Sequence, residues 1–240
     1  MFRHVLSLCV LMLLLRCSPK EATQSTSLVR SRRALATCVA LDGSLPTPHG
    51  TFSGDPDAIW LTEKPPDRRM CLTAEFTFED PQHKIWRTPA NYQVDGASIP
   101  RALWTAVGSP YTGDYRRASI VHDKACDDAH SDKPARRAAD RMFFHACRAG
   151  GCSIRQATIL YIGVRIGAWH SVVPAWNASI ESEERGPEID VPPADQRLLS
   201  DFQRIAQIVL SQPQSDDPTV IEGRVDGAAS SVVGQNMREQ

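Results

Sequence analysis

At 240 residues, 42% of them hydrophobic and 23% charged, the chain can build one domain of about 150 residues with a proper core plus tails, but not two full domains. A formal net charge of −1, from 27 Lys and Arg against 28 Asp and Glu, gives no electrostatic basis for a nucleic-acid partner. The basic pairs Arg32-Arg33, Arg68-Arg69 and Arg136-Arg137 are too short to supply one locally and read as solvated surface.

Taken in order, the chain begins with Arg3 and His4 ahead of an apolar run from Val5 to Leu15, the layout of a secretory signal peptide over residues 1–17. That run is only about half the length a helix needs to span a bilayer. Leu13-Leu14-Leu15-Arg16-Cys17 resembles a bacterial lipoprotein box, although Arg16 stands where that pattern has a small residue. Ala34-Leu35-Ala36 is a second, more distant cleavage signal, and a short membrane-associated extension is the other reading of this end. The expectation is an exported protein, periplasmic or held to the membrane by a lipid on Cys17. Export implies an oxidising compartment, in which Cys38, Cys71, Cys126, Cys147 and Cys152 are available for disulfides, an odd set that leaves one thiol free. Cys147 and Cys152 flank Arg148-Ala149-Gly150-Gly151, a natural helix end where a local bridge is sterically reasonable. Neither a CxxC pair nor a Cys/His zinc spacing is present.

Residues 18–36 are polar and rich in Ser, Thr and Arg, as suits a flexible tether. Prolines and glycines recur through residues 37–69, with one apolar patch at Ala58-Ile59-Trp60-Leu61. Cys71 to Phe78 alternates as a half-buried strand should, and Lys84-Ile85-Trp86-Arg87 and Tyr92-Gln93-Val94 predict further short strands. A break at Asp95-Gly96-Ala97-Ser98-Ile99-Pro100 leads to a short helical piece at Ala102-Leu103-Trp104 and a turn from Pro110 to Gly113. Helices are predicted at 115–130, at 135–148, and from Ile154 to His170 with Ser153 as N-cap. Trp169 and Trp176 are assigned to the core. Residues 177–193 form an acidic, proline-containing linker, 194–211 an amphipathic helix through Leu198, Leu199, Phe202, Ile205, Ala206 and Val209, and 212–240 a disordered tail. The fold class is α+β, with a small N-terminal antiparallel β region followed by a three-helix core inside one globular domain, 37–176.

The chemistry lies on two of those helices. Ala118, Val121, His122, Ala125 and Ala129 fall at i, i+3, i+4, i+7 and i+11, which places His122 on an apolar face. Asp140, Phe143, Phe144 and Cys147 repeat the spacing and place Asp140 likewise. A buried carboxylate without a donor costs several kcal/mol, roughly, so the two groups are expected to pair. A histidine backed by a carboxylate has a fixed tautomer and can serve as a general base. Asp123 is turned about 100° from His122. If the Asp95–Ser98 loop packs on that side, Asp95, the Gly96 carbonyl and Asp123 supply the all-oxygen ligand set that suits calcium. The same residues also fit a plainer role: a His-Asp pair is a common interhelical hydrogen bond, and Asp95 can simply end a strand. Asp127, Asp128, His130 and His145 read as solvated or capping groups.

The stretches Val94-Asp95-Gly96-Ala97-Ser98-Ile99-Pro100-Arg101-Ala102-Leu103-Trp104, Gly113-Asp114-Tyr115 through Ala118 to His122-Asp123, and Ala139-Asp140-Arg141-Met142-Phe143 resemble a family of phages and bacteria catalogued as domain of unknown function 1353, over about residues 75 to 170. That family name implies no activity. More distantly, the same three blocks resemble secreted phospholipase A2, particularly its bacterial branch. That resemblance implies His122 as general base, Asp140 as its orienting partner, Asp123 as a calcium ligand, and Asp95 with the Gly96 carbonyl as the calcium loop. The chain departs from the pattern at Cys126, where a tyrosine often stands, and in lacking a recognisable disulfide ladder.

Two functions of different class are therefore expected. The first is an exported, calcium-dependent ester hydrolase acting on lipid or another acyl ester, its dyad at the mouth of a cleft lined by Ile99, Leu103 and Trp104. The alternative is a non-catalytic envelope or phage-derived interaction protein. An enzyme requires an open path to His122; a structural protein would seal it. A metal-dependent phosphohydrolase would need further histidines, and only His145 is near, on the wrong face.

Overall fold

Strand chemistry and turn placement split the N-terminal half into two small antiparallel sheets. β1 (Thr51–Phe52), β4 (Phe76–Glu79) and β5 (Ile85–Thr88) form one in the order β1-β4-β5, and β2 (Ala58–Trp60), β3 (Met70–Leu72) and β6 (Gln93–Val94) form the other in the order β2-β3-β6. The alternating stretch from Cys71 to Phe78 is thus two strands in two sheets rather than one. The chain turns between them, where the Thr73 N–H donates to the Asp57 carbonyl at 2.8 Å. Phe52, Phe76 and Phe78 point to the core and pack as a cluster, with ring centroids 4.8 to 5.7 Å apart. The computed structural model describes residues 47–62, 69–108, 112–170, 173, 176 and 193–234, which fall in a unit running from Ser44 to Gln240. The expected signal peptide, tether, Cys17 and Cys38, and most of the linker, lie outside the described residues.

The helical half follows the predicted periods closely. A 3-10 turn at Arg101–Leu103 runs into α1 (Trp104–Val107), and another at Gly113–Tyr115 into α2 (Arg116–Ala129). α3 (Lys133–Ala149) starts where the Asp132 side chain accepts from the Ala135 N–H with Pro134 in the first turn. α4 (Ile154–Trp169) is capped by Ser153, as its sequence predicts. Every residue of the expected α2 face, Ala118, Val121, His122, Ala125 and Ala129, is buried, and so are Trp169 and Trp176. Among the described residues no helix is long and apolar enough to cross a membrane.

The C-terminal part differs from expectation. α5 (Pro193–Leu210) packs on α4 and on the Arg101–Leu103 turn. Residues 212–240, read as a disordered tail, contain α6 (Pro218–Val233), started by the Asp217 side chain accepting from the Thr219 N–H. Composition hid this helix because its inner face is built largely from small residues: Ile221, Val225, Ala228 and Ala229, at i, i+4, i+7 and i+8, are all buried. α6 also carries the acids that the basic segment of α3 needs. Arg137 Nη1 donates to Glu222 Oε1 at 2.8 Å and to Asp226 Oδ2 at 2.6 Å, and Arg141 Nη1 to Glu222 Oε2 at 2.8 Å. Arg136-Arg137 is accordingly an ion-paired seam, not solvated surface.

Two further expectations are corrected. Ile99 and Leu103 do not line a cleft; Leu103 has no exposed surface, Ile99 packs over Gly163 of α4, and the half-buried Trp104 indole donates to the Ile99 carbonyl at 3.1 Å. α5 covers the turn that carries Leu103, which the sequence could not reveal without knowing where that helix docks. The Cys147–Cys152 bridge is not formed: both are buried thiols in hydrogen-bond contact, and the backbone is tied by Cys152 N–H to the Cys147 carbonyl at 3.0 Å.

The 95–100 loop is held against α4 by the absence of a side chain at Gly167, where an added Cβ would run into the Ser98 carbonyl oxygen. Gly167→Ala is therefore expected to destabilise the protein by about 1–3 kcal/mol through displaced backbone, read as a lower midpoint in urea denaturation. An unchanged midpoint would show that the loop is not clamped there.

Candidate functional site

The apolar periods of α2 and α3 bring His122 and Asp140 into contact as their spacing predicts: His122 Nε2 lies 2.9 Å from Asp140 Oδ1, and neither side chain has any exposed surface. Asp140 is better supplied with donors than two helix faces alone could suggest. Arg136, one turn earlier on α3, donates from Nε to Oδ1 at 3.2 Å, and Arg165 of α4 donates from Nη1 to Oδ2 at 3.0 Å. Arg165 is itself buried, lies over the Trp169 ring at 4.7 Å, and reaches Asp226 Oδ1 of α6 at 3.4 Å. Three helices thus converge on one carboxylate, and α6 joins them through Arg165. Burial works against ionisation of Asp140, but the bond from His122 and the two guanidiniums outweigh it and hold the acid below the usual carboxylate range.

His122 completes the other half of this account. Burial disfavours the imidazolium, yet the Cys126 sulfur and the Asp140 carboxylate more than offset it and push the pKa up to about 9. The unfolded value is 6.5, so the pair's stabilisation is full below that pH and is lost as pH rises through about 9. With Nε2 turned to Asp140, Nδ1 is the nitrogen left for proton transfer. Cys126 Sγ lies against the same ring, 3.4 Å from Nε2 and 3.6 Å from Nδ1, and the Phe143 ring packs against the imidazole at a centroid distance of 4.6 Å. His122, Cys126 and Asp140 each offer a ligating atom within 4.8 Å of the others, but the two arginines on Asp140 oppose a cation there.

The next residue faces a different environment. Asp123 Oδ2 accepts the Asp95 backbone N–H at 2.9 Å, which seats the 95–98 loop against α2. Gly96, buried at φ 106°, makes the turn in a backbone region that side chains rarely tolerate. Burial first, and then the Asp95 carboxylate, push the Asp123 pKa up to about 7, against the opposing effects of the Asp95 N–H and of His122. Asp95 and Asp123 are therefore neighbours, two carboxylates in mutual repulsion. Carboxylate oxygens are the donors that hard divalent cations take.

Sequence reasoning missed Arg136, Arg165, Glu222 and Asp226. A signal for Arg165 did exist: a charge among Ile162, Gly163, Val164 and Ile166, all buried, requires an internal partner. Asp127 is exposed as expected, and the Tyr92 hydroxyl donates to it. His145 is not a free surface group; it faces His49.

Residues 70–164 match the model of a protein family described as "Protein of unknown function (DUF1353)", close to the limits read from the motifs. Two uncharacterized proteins of Sinorhizobium fredii are similar to this chain. Protein y4jT is 35% identical over 117 residues, which are 48% of this chain and 33% of that protein. Protein y4iH is 30% identical over 113 residues, 47% of this chain and 44% of that protein. The matched segment spans less than half the length of either relative. No solved structure matches.

Proposed function

We propose that this chain is an exported hydrolase of acyl esters, lipids among them, in which His122 is the general base, Asp140 orients it, and calcium is held by Asp95, Asp123 and the Gly96 carbonyl. The observation that carries the reading is the adjacency of two unlike environments on one helix: an imidazole tied through Nε2 to a buried carboxylate, and, one residue on, a carboxylate pair whose mutual repulsion a cation would relieve. In this reading His122 Nδ1 removes a proton from water as the water oxygen attacks the acyl carbon. The ester C–O bond then breaks, and the departing alcohol takes the proton back from Nδ1. Asp140 stays ionised and keeps the proton on Nε2 throughout. Calcium, when bound, supplies charge to the carbonyl oxygen as negative charge builds there. The imidazole has no exposed surface, so turnover also requires side chains packed on the ring, Cys126 and Phe143 among them, to move aside.

That complete burial favours a second reading, a non-catalytic envelope or phage-derived interaction protein. There the pair only pins helices together, and the loop carboxylates only hold the fold. Fatty-acid release from phospholipid vesicles separates the two. The hydrolase is expected to release product with calcium, to stop with chelator, and to lose the activity in His122→Ala. Release by His122→Ala equal to wild type, or none from wild type with calcium, would leave the second reading. Export with a lipid on Cys17 belongs to the same proposal, and its check is the mass of the protein recovered from membranes.

A further inference from the structure

His49 and His145 are distant in sequence yet meet where the turn before β1 touches α3. Their Nδ1 atoms lie 3.1 Å apart, His49 is buried, and His145 is partly exposed. We propose that this pair is a binding site for one divalent transition-metal ion of the zinc class, held by the two Nδ1 atoms with water completing its shell. The proposal does not rest on the hydrolase reading.

The tautomer of His49 is the first support. Its Nε2 lies 3.0 Å from Asp216 Oδ2, and Arg148 grips the same carboxylate, from Nε to Oδ1 at 2.7 Å and from Nη2 to Oδ2 at 3.0 Å. A carboxylate held by a guanidinium stays ionised and accepts, so the His49 proton belongs on Nε2. The Nδ1 lone pair is then aimed at His145. A carboxylate on the far nitrogen of a histidine is the outer-shell arrangement that fixes and strengthens imidazole ligands. Arg148 in turn locks the carboxylate.

The spacing agrees. Two nitrogens at the usual zinc distance and 3.1 Å apart subtend an angle of about 98° at the ion, between square-planar and tetrahedral. Asp80, Asp217 and Asp216 lie close enough to act on the His145 ring, but burial and the adjacent His49 outweigh them and lower its pKa. Asp80 itself is committed to its own turn, accepting from the Gln82 and Lys84 backbone N–H groups and from the Trp86 indole, and is not counted as a ligand. Without an ion, the His145 Nδ1–H donates to His49 Nδ1. Binding moves that proton to Nε2 of His145 and needs no net proton release. Nitrogen ligands select zinc, cobalt, nickel or copper over calcium, which separates this site from Asp95 and Asp123.

Untagged full-length protein titrated with cobalt(II) in visible absorption, and with zinc in calorimetry, tests the assignment. One ion per chain is expected, with His49→Gln and His145→Gln each weakening binding by more than about tenfold and Asp216→Asn by about tenfold. Circular dichroism of each variant establishes that it is folded at the assay temperature, and His145→Ala replaces any that is not. Absence of binding, wild-type affinity in the histidine variants, or a sulfur-to-cobalt charge-transfer band placing the ion on Cys126 would each overturn the proposal.

Discussion

Asp140→Ala is expected to lower the unfolding free energy by about 3–5 kcal/mol, the loss typical of removing one partner from a buried charge cluster. The carboxylate accepts from His122, Arg136 and Arg165, and its removal strands one buried and one part-buried guanidinium and an imidazole that has no surface. Asparagine keeps the shape but not the charge, so most of the loss is expected there too. The helix faces alone predict that Asp140→Asn harms activity far more than stability; the two arginines reverse that order. The sign with pH is distinct. Asp140 has a folded value below its unfolded 3.8, so its contribution is present above that pH and disappears as pH falls through the lower folded value. Urea denaturation at pH 6 is the measurement, and a loss under about 1 kcal/mol would mean that the network is incidental.

Asp123→Asn is expected to do the opposite in the absence of calcium. The Asp123 pKa rises from 3.8 to about 7 on folding, so ionising this group costs nothing below the unfolded value, progressively more from there to about 7, and a constant amount above. The shift corresponds to about 4 kcal/mol at most. Asparagine retains an oxygen for the Asp95 N–H and removes the repulsion, so the variant is expected to be more stable than wild type at pH 8 and similar at pH 4. Calcium is expected to raise the melting temperature of wild type at pH 8, to do so less at pH 5 where protons occupy the site, and to leave Asp123→Asn unmoved. Equal calcium stabilisation of the variant in scanning calorimetry would remove Asp123 from the ligand set.

The parts of this fold that were legible are those whose information is local. Helix period alone places His122 and Asp140 inward, and Ser153 marks a helix start by capping chemistry that spans only three residues. What stayed hidden depends on long-range docking. α6 has too few large apolar residues to stand out, and its helix is stabilised by Glu222 and Asp226 meeting arginines about 80 residues earlier. The pairing of His49 with His145 spans 96 positions and leaves no periodic trace. The cleft lined by Ile99, Leu103 and Trp104 failed as an expectation for the same reason, because α5 lands on the turn that carries Leu103.

The base assignment faces its sharpest test in the pH dependence of kcat/KM for ester hydrolysis by the wild-type protein with saturating calcium. A base held by Asp140 works only when deprotonated, so the rate is predicted to rise with pH as a one-proton limb that His122→Gln abolishes. A profile that falls with rising pH, shows no limb at all, or keeps its limb in His122→Gln would contradict His122 as the catalytic base.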